Sequence, residues 1–360
     1  MSLRFLSDSI VFLDHKVTVD KQYSCYPVFN SENKKVTLKP ELFDIRAPYE
    51  KKLYHEEQRI DAPKSKRRKK GELNFDEVTL KIQQNHSEFL RLMKIDYSGD
   101  DNQDNRQALE FVDAFNRQDQ YDRSSSFKGA NLSEYSVINS FAGQDYVIPS
   151  NCHFFNDDIA RLNELVPEEN KFDYIVLDPP WWNKYIRRTK PVNKNISYQM
   201  LDNEAISNIP LEKYIHSRTV VVIWCTNSPT HINAIKEKFC KKWKLKLVGN
   251  WYWIKTTKSG LPVCAFNEVT KKQPYEQLFI ATSENGDSTD MLQEKFIFSI
   301  PCAFHSNKPP LIDLFAELLP EHPKCLELFA RNVYPNFTSI GTEVLKLQNA
   351  RLFNFEVCHK

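Results

Sequence analysis

The sequence has 360 residues, with apolar side chains at 41%, charged side chains at 27% and a formal net charge of +2 at pH 7. That length allows one large domain plus an accessory region, and the charge balance by itself indicates no polyanionic partner. Only eight glycines occur, without G-x-G-x-x-G or G-x-x-x-x-G-K, which argues against P-loop NTPases and classical dinucleotide oxidoreductases.

Membrane and secreted classes are also disfavoured. No stretch reaches the roughly 18 uncharged apolar residues of a membrane helix, and the first twenty residues, with Asp8, Asp14 and Asp20, do not resemble a secretory signal. The eight cysteines show no Cys-x-x-Cys spacing, so neither a disulfide scaffold nor a zinc module is indicated. We expect an intracellular protein without a membrane partner or a metal.

The first 75 residues divide into two segments. Residues 1–60 form an N-terminal accessory region without a sustained period, and residues 61–75 form a basic linker. Within the linker, residues 64–70 hold six basic side chains in seven positions. Such a run is typical of a nuclear import signal or a nucleic-acid tether, and we favour import over a merely soluble linker. The expected location is the nucleus, with the cytoplasm as an alternative.

The remaining chain changes character near residue 145. Residues 76–144 are predicted to be accessory and mainly helical, because apolar residues recur at helical spacing around 89–93 and 109–115. Residues 145–350 alternate short apolar strands with helical stretches, the pattern of a three-layer, Rossmann-like α/β sheet, and 351–360 form a C-terminal tail. The predicted strands are 172–177, 219–225, 245–254, 277–282 and 325–329, and the predicted helices include 230–243 and 310–318.

The sharpest motif is F-D-Y-I-V-L-D-P-P-W-W at 172–182. Its first six residues predict a buried strand, so Asp178 stands at the carboxyl end, where α/β sheets bind ligands. Pro179 and Pro180 fix φ near roughly −65° and remove two backbone donors, which leaves the carbonyls of Asp178 and Pro179 as a rigid acceptor array. That array suits a substrate amine.

Adenine N6 is such an amine, and its delocalised lone pair makes it a poor nucleophile. In methyl transfer to this nitrogen, the Asp178 carboxylate and the Pro179 carbonyl would accept its two N–H bonds. They would thereby favour the pyramidal nitrogen of the transition state over the planar ground state. Trp181 offers a flat face for stacking, which contributes roughly 1–3 kcal/mol per base, and the base must be unpaired or flipped. The alternative is that the motif is only a turn that ends the strand and that its tryptophans are core residues. The combination of strand, acid, double proline and aromatic residue argues against this alternative.

These residues resemble the MT-A70 family of adenosine N6-methyltransferases, and within it the branch of methyltransferase-like protein four. The resemblance runs from about residue 152 to residue 348, in an ordered series of motifs. They are D-P-P-W at 178–181, I-W-C-T-N at 223–227, N-W-Y-W-I-K at 250–255, K-K-Q-P-Y-E at 271–276, S-I-P-C-A-F-H-S-N-K-P-P at 299–310 and L-E-L-F-A-R-N-V-Y-P-N-F at 326–337.

The resemblance implies an S-adenosylmethionine-dependent enzyme, with S-adenosylhomocysteine as product, in which the catalytic strand precedes the cofactor strand in a circularly permuted order. The D-P-P-W residues Asp178, Pro179, Pro180 and Trp181 are the implied catalytic set. The implied cofactor-binding residues are Asp158 and Ile159 at the adenine, Lys308 at the methionyl carboxylate, Asp178 near the sulfonium, Arg331 and Asn332 at the ribose, and Phe329, Thr342 and Glu343. Relatives carry Gly-Asn before Glu or Gln where this chain has Gly341-Thr342-Glu343, so the ribose contact is expected to be shortened or lost.

Basic and aromatic residues follow the motif directly and are expected to contact RNA phosphates. About four neutralised phosphates would give a slope near −3 of log affinity against log salt; a merely solvated loop is the alternative. The candidate RNA-binding residues are Lys184, Tyr185, Arg187, Arg188, Lys190, Lys194 and Tyr198.

The leading hypothesis is N6-methylation of adenine in RNA, single-stranded or with a flipped adenosine. The branch resemblance implies internal 2′-O-methyladenosine of a small nuclear RNA as the acceptor. DNA adenine methylation, a non-catalytic nucleic-acid-binding scaffold and cytosine N4 methylation are the alternatives. The sequence does not determine the oligomeric state, and a monomer is our working expectation.

Overall fold

The computed structural model describes residues 2–24, 34–49, 75–95, 104–182, 200–267, 271–286 and 290–357. The basic run at 64–70 and all seven candidate RNA-binding residues, which fall between 184 and 198, lie outside the described residues. They remain predictions from the sequence.

The described chain contains both strands and helices. The strands are β1 (Leu3–Phe5), β2 (Ile10–Leu13), β3 (Lys34–Leu38), β4 (Phe127–Asn131), β5 (Val137–Phe141), β6 (Gln144–Ile148), β7 (Cys152–Asn156), β8 (Phe172–Leu177), β9 (Ile215–Cys225), β10 (Leu245–Lys255), β11 (Tyr275–Ser283), β12 (Phe296–Ser299), β13 (Cys325–Leu328), β14 (Phe337–Ile340) and β15 (Phe353–Val357). The α-helices are α1 (His15–Ser24), α2 (Glu77–Met93), α3 (Arg106–Gln118), α4 (Leu162–Leu165), α5 (Asn203–Ser207), α6 (Pro229–Ala234) and α7 (Cys240–Lys242), with a π-helical turn (Ile235–Phe239) joining the last two.

Eleven of the described strands form one sheet in the order β1-β2-β12-β10-β11-β9-β8-β13-β14-β7-β4. The central strands β9, β8, β13, β14 and β7 are parallel, and β11 runs antiparallel between β9 and β10. The predicted α/β class with a Rossmann-like sheet is confirmed. β8 lies beside β13 although about 150 residues separate them along the chain, as the permuted motif order implies.

Both faces of this sheet are covered at its centre, where β8 and the second half of β9 are nearly continuous apolar runs. On one face, α4 to α7 bury Ile206, Phe239 and Trp243 against the strands. On the other face, a 3-10 helix (Ile312–Leu318) stacks Phe315 on Trp251 with ring centroids 4.9 Å apart. The result is the three-layer arrangement predicted from the sequence.

Several elements differ from the sequence-based expectation. The predicted helix 310–318 is a short 3-10 helix, since prolines at 309, 310 and 320 bracket it. β1, β2 and β4 come from segments that we treated as accessory, yet they extend the central sheet. β15, in the predicted tail, pairs with β3. Within the described ranges, none of the helices has the length and apolar character needed to cross a membrane.

Candidate active site

Asp178 follows β8 directly and opens the candidate site. Its side chain is 24% exposed, and Oδ2 lies 3.1 Å from Lys308 Nζ. The Ser306 hydroxyl lies 3.4 Å from the same oxygen and accepts a 2.9 Å hydrogen bond from Lys308. The carboxylate is therefore held by one cation and keeps access to solvent.

A second carboxylate completes a row of alternating charges. Glu276 Oε2 lies 3.0 Å from Lys308 Nζ, and its other oxygen pairs with Lys255. Because β11 is antiparallel to its neighbours, its first residues meet the carboxyl ends of β8 and β9. The row Lys255, Glu276, Lys308, Asp178 is electrically neutral as a whole.

This row sets the ionisation of its members. Burial raises the pKa of Asp178, with Lys308 opposing the rise and Glu276 adding to it. Burial alone would also raise the pKa of Glu276, but Lys255 and Lys308 outweigh it and hold that pKa far below its usual value. For Lys308, burial is outweighed by the two carboxylates, which raise its pKa to about 12. Lys308 therefore stays charged, and Asp178 is a stronger base than an exposed aspartate.

The double-proline turn is fastened on both sides. The Pro179 carbonyl accepts a 2.8 Å hydrogen bond from the Trp181 N–H, the Pro180 carbonyl accepts one of 2.9 Å from Leu201, and the Trp182 N–H donates to the Leu201 carbonyl at 3.1 Å. A carbonyl oxygen has two lone pairs, so the Pro179 carbonyl can accept a second hydrogen bond. These hydrogen bonds hold the turn in one conformation.

The expected stacking role of Trp181 is wrong. Its side chain is only 6% exposed, its indole N–H donates to the Trp224 carbonyl at 3.0 Å, and its ring lies 4.8 Å from His231 and 6.1 Å from Phe239 between ring centroids. A ring packed in the core cannot offer a face to a base. Trp181 instead anchors the turn to the sheet.

The implied cofactor residues meet at the same edge. Leu177 is paired with Leu328, Leu328 with Ile340 and Ile340 with Phe155 across four parallel strands. Residues just beyond these pairs therefore lie in one row, roughly 14 Å long at the usual strand spacing. The row brings together Asp178, Phe329, Gly341–Glu343 and, beyond β7, Asp158.

Glu343 is engaged by cations. Its oxygens accept from Arg331 at 2.8 Å, from Lys346 at 3.0 Å and from Arg123. Burial would raise the pKa of Glu343, but these three cations outweigh it and lower that pKa to about 2. Arg331 also donates to the His305 carbonyl at 2.6 Å. With 5% of Glu343 exposed, its carboxylate serves first to hold Arg331.

Sequence reasoning missed three charged residues at this edge. Glu276 and Lys255 are the last residues of two of the motifs quoted from the sequence. Each is a single charged residue at one end of an apolar strand, and this was the signal that could have identified them. Arg123 offered no such signal, because it reaches Glu343 from a loop 220 residues away in sequence. In the described part of the chain, no group of three or more His, Cys, Asp or Glu side chains is arranged to hold a metal ion.

The strand order and the Asp-Pro-Pro turn at the end of β8 define a Rossmann-like methyltransferase fold of the permuted kind. The model of the family described as MT-A70 matches residues 172–343, which include the turn, the Lys308 loop and the ends of β13 and β14. Over this stretch, which is just under half of its length, the chain is similar to the MT-A70 family.

The chain is also similar to several curated N6-adenine methyltransferases. The human N(6)-adenine-specific methyltransferase METTL4 is 34% identical over 233 residues, 62% of this chain and 48% of the relative. The DNA N6-methyl methyltransferase of Caenorhabditis elegans is 31% identical over 60% of this chain and 58% of its own length. The N6-methyladenosine RNA methyltransferase MTA1 of Pyricularia oryzae is 30% identical over 57% and 56%. The chain thus spans about half the length of these relatives.

Proposed function

We propose that this chain transfers a methyl group from S-adenosylmethionine to N6 of adenine in a nucleic acid. The observation that carries the proposal is the Asp178 carboxylate, paired with Lys308 at 3.1 Å beside the Pro179 carbonyl. This acceptor pair stands one strand away from the turn that follows β13. An amine and a methyl donor could therefore meet over adjacent strands.

The chemistry of the donor set fits S-adenosylmethionine. Asp158 is exposed beside buried Ile159, which provides an acceptor and an apolar surface for an adenine. Lys308 supplies a cation for the methionyl carboxylate, and Asp178 supplies negative charge near a sulfonium. Asn332, whose amide lies 3.4 Å from Asn307 Oδ1, stands beside Arg331 for the ribose. The bound molecule would supply an electrophilic methyl group.

The chain's own residues would act on the acceptor amine. Asp178 and Pro179 accept its two N–H bonds, which favours the pyramidal nitrogen over the planar ground state. The raised pKa of Asp178 suits it to take the proton that the nitrogen loses. Lys308 keeps the carboxylate ionised until then.

The preferred substrate we propose is RNA, with internal 2′-O-methyladenosine of a small nuclear RNA as the acceptor. The resemblance to the methyltransferase-like branch supports this choice, and the basic run at 64–70 supports a nuclear location. The printed name of the worm relative makes DNA adenine the second candidate.

Matched oligonucleotides decide between these substrates. Turnover would be measured on one sequence whose single adenosine carries 2′-H, 2′-OH or 2′-O-methyl, with a cytosine-only strand as control. We expect the fastest methylation on the 2′-O-methyl strand and none on the control. Fastest turnover on the 2′-H strand would replace RNA by DNA as the proposed substrate.

The Asp178→Asn variant tests the reaction itself. Removing the charge while keeping the shape should lower kcat by about 10²–10³-fold, the usual effect of losing one transition-state contact, with nucleic-acid affinity largely retained. The matched control is Asp173→Asn at the opposite end of β8, where the carboxylate contacts His216 at 3.0 Å. Equal turnover by wild type and Asp178→Asn would favour the scaffold alternative.

A further inference from the structure

One histidine contacts both the double-proline turn and a neighbouring helix. His231, in the first turn of α6, is 7% exposed, and its ring centroid lies 4.8 Å from that of Trp181. Its Nε2 lies 3.1 Å from the Trp182 carbonyl oxygen, and its Nδ1 lies 2.8 Å from Asn203 Oδ1. One side chain therefore links the end of the turn to the start of α5.

Hydrogen-bond chemistry fixes the roles of the two ring nitrogens. The Trp182 carbonyl can only accept, so Nε2 carries the hydrogen. Burial lowers the pKa of His231, with the bond to the Trp182 carbonyl only opposing it, which favours the neutral ring. A neutral ring accepts at Nδ1, where the Asn203 carboxamide can present its NH₂ group by a half turn about its axis.

These contacts complete the fastening of the turn. Trp181 is fixed through its indole N–H and Trp182 through the N–H that Leu201 accepts. His231 donates a hydrogen bond to the Trp182 carbonyl and packs its ring against the indole of Trp181. The turn carries the oxygens of Asp178 and Pro179, and catalytic groups must hold their geometry within about 0.5 Å.

We propose that His231 is a positioning residue for methyl transfer, which fixes the Asp-Pro-Pro-Trp turn by its hydrogen bond to the Trp182 carbonyl and its contact with Trp181. The inference rests on the proposed function, because it gives His231 a part in the same reaction. His231 acts through the turn, since its hydrogen bond is to Trp182, three residues beyond Pro179.

Three substitutions separate the hydrogen bond from the packing. His231→Phe keeps a ring and removes the donor, His231→Ala removes both, and His231→Gln restores an amide donor within reach of the carbonyl. We expect kcat to fall by about 10- to 100-fold in the Phe and Ala variants and to recover at least partly in Gln. The KM for the oligonucleotide and the Kd for S-adenosylhomocysteine should stay within about threefold, since most of the groups assigned to binding, such as Lys308, Arg331 and Asp158, lie outside the turn.

His216→Ala is the matched control. His216 also bonds a residue of β8, with Nε2 3.0 Å from Asp173 Oδ1, but at the end of the strand opposite to Asp178. Its loss should lower the thermal midpoint and leave kcat unchanged. If the Ala variant of His231 does not fold, the Phe and Gln pair decides alone.

Two failures can be told apart. A wild-type chain that methylates no adenine oligonucleotide contradicts the proposed function and the positioning role together. A wild type that methylates, with a folded His231→Phe variant at the same kcat, overturns only the positioning role. A parallel loss of kcat in His231→Ala and His216→Ala that tracks their thermal midpoints would also overturn it, since both would then act through stability.

Discussion

The candidate site depends on how single side chains share charge. Lys308 lies between Asp178 at 3.1 Å and Glu276 at 3.0 Å, so its one cation restrains two carboxylates. Lys255 takes part of the second negative charge. Burying such groups without partners would be costly. The pairing keeps Asp178 charged although burial favours its neutral form.

Glu327 is the neighbouring carboxyl without such a cation. It lies on β13, paired with Val176 and Ser339, and among the described residues its buried Oε2 has no hydrogen-bond partner. Burial raises the pKa of Glu327 to about 8, and the charge of Asp178 adds to the rise. The folded protein therefore binds this proton more tightly than the unfolded chain.

This difference predicts a pH dependence of stability. Between about pH 4.5 and 8 the unfolded chain loses the proton first, so the free energy of unfolding falls as the pH rises. Glu327→Gln removes the effect, and its thermal midpoint should decline less than that of wild type between pH 5 and 8. Glu169→Gln, at an exposed glutamate, is the control. Parallel midpoint curves for wild type and Glu327→Gln would contradict the assignment.

The sequence allowed the prediction of some of these residues and not others. Asp178 stood out because strand, acid and double proline are contiguous. The stacking role of Trp181 failed because sequence does not reveal whether an aromatic after a turn points to solvent or into the core. Arg123 and His231 could not be found, since their importance arises only where distant segments meet.

At the scale of elements, the turns after β13 and β14 pack unusually closely. Phe329 adopts a left-handed φ of 66°, and the Ala330 N–H donates to the Ile340 carbonyl at 2.9 Å. A side-chain carbon on Gly341 would lie 2.4 Å from the Ala330 oxygen and 2.8 Å from its nitrogen. This close approach places Arg331 and Glu343 within hydrogen-bond distance.

Gly341→Ala should therefore disturb the edge of the sheet where the implied cofactor-binding residues lie. Overpacking costs about 1–3 kcal/mol, and 1.4 kcal/mol corresponds to a tenfold change in affinity. We expect the Kd for S-adenosylhomocysteine, measured by calorimetry, to rise by about tenfold. Gly143→Ala is the control for adding a side-chain carbon without a clash. No atom lies within 4 Å of the carbon added there, although the φ of +75° is one that side chains rarely adopt. Unchanged binding by Gly341→Ala would show that the two turns tolerate separation.

Elements with strong local signals were predicted well. The strand at 172–177 matches β8, and the other four predicted strands agree with β9, β10, β11 and β13 to within a few residues. β1, β2 and β4 were not predicted as part of the sheet, because strands this short gain their stability from neighbours distant in sequence.

At the scale of the whole molecule, the central sheet contains strands from segments that are far apart in the sequence. β2 pairs with β12, and Leu13 is completely buried in the cluster that contains Trp224, Trp251 and Trp253. The first residues of the chain therefore belong to the same core as the candidate site.

Leu13→Ala tests whether the first strands and the candidate site share one core. A buried Leu-to-Ala change costs about 2–5 kcal/mol, and all six tryptophans lie between residues 181 and 253. Thermal unfolding followed by tryptophan fluorescence should thus shift down by several degrees, although the substitution lies far away in sequence. Phe5→Ala, at a side chain that is 61% exposed, should not shift it. An unchanged fluorescence transition in Leu13→Ala would mean that the first strands unfold independently.

The permuted strand order also has a consequence during synthesis on the ribosome. β8 pairs with β13 on one side, and at 5–20 residues per second roughly 7 to 30 seconds pass between translation of the two. For that time one apolar edge of β8 has no native neighbour, and such an edge can pair wrongly with other nascent chains. We therefore expect the emerging polypeptide to need chaperones that shield strand edges until β13 has been made.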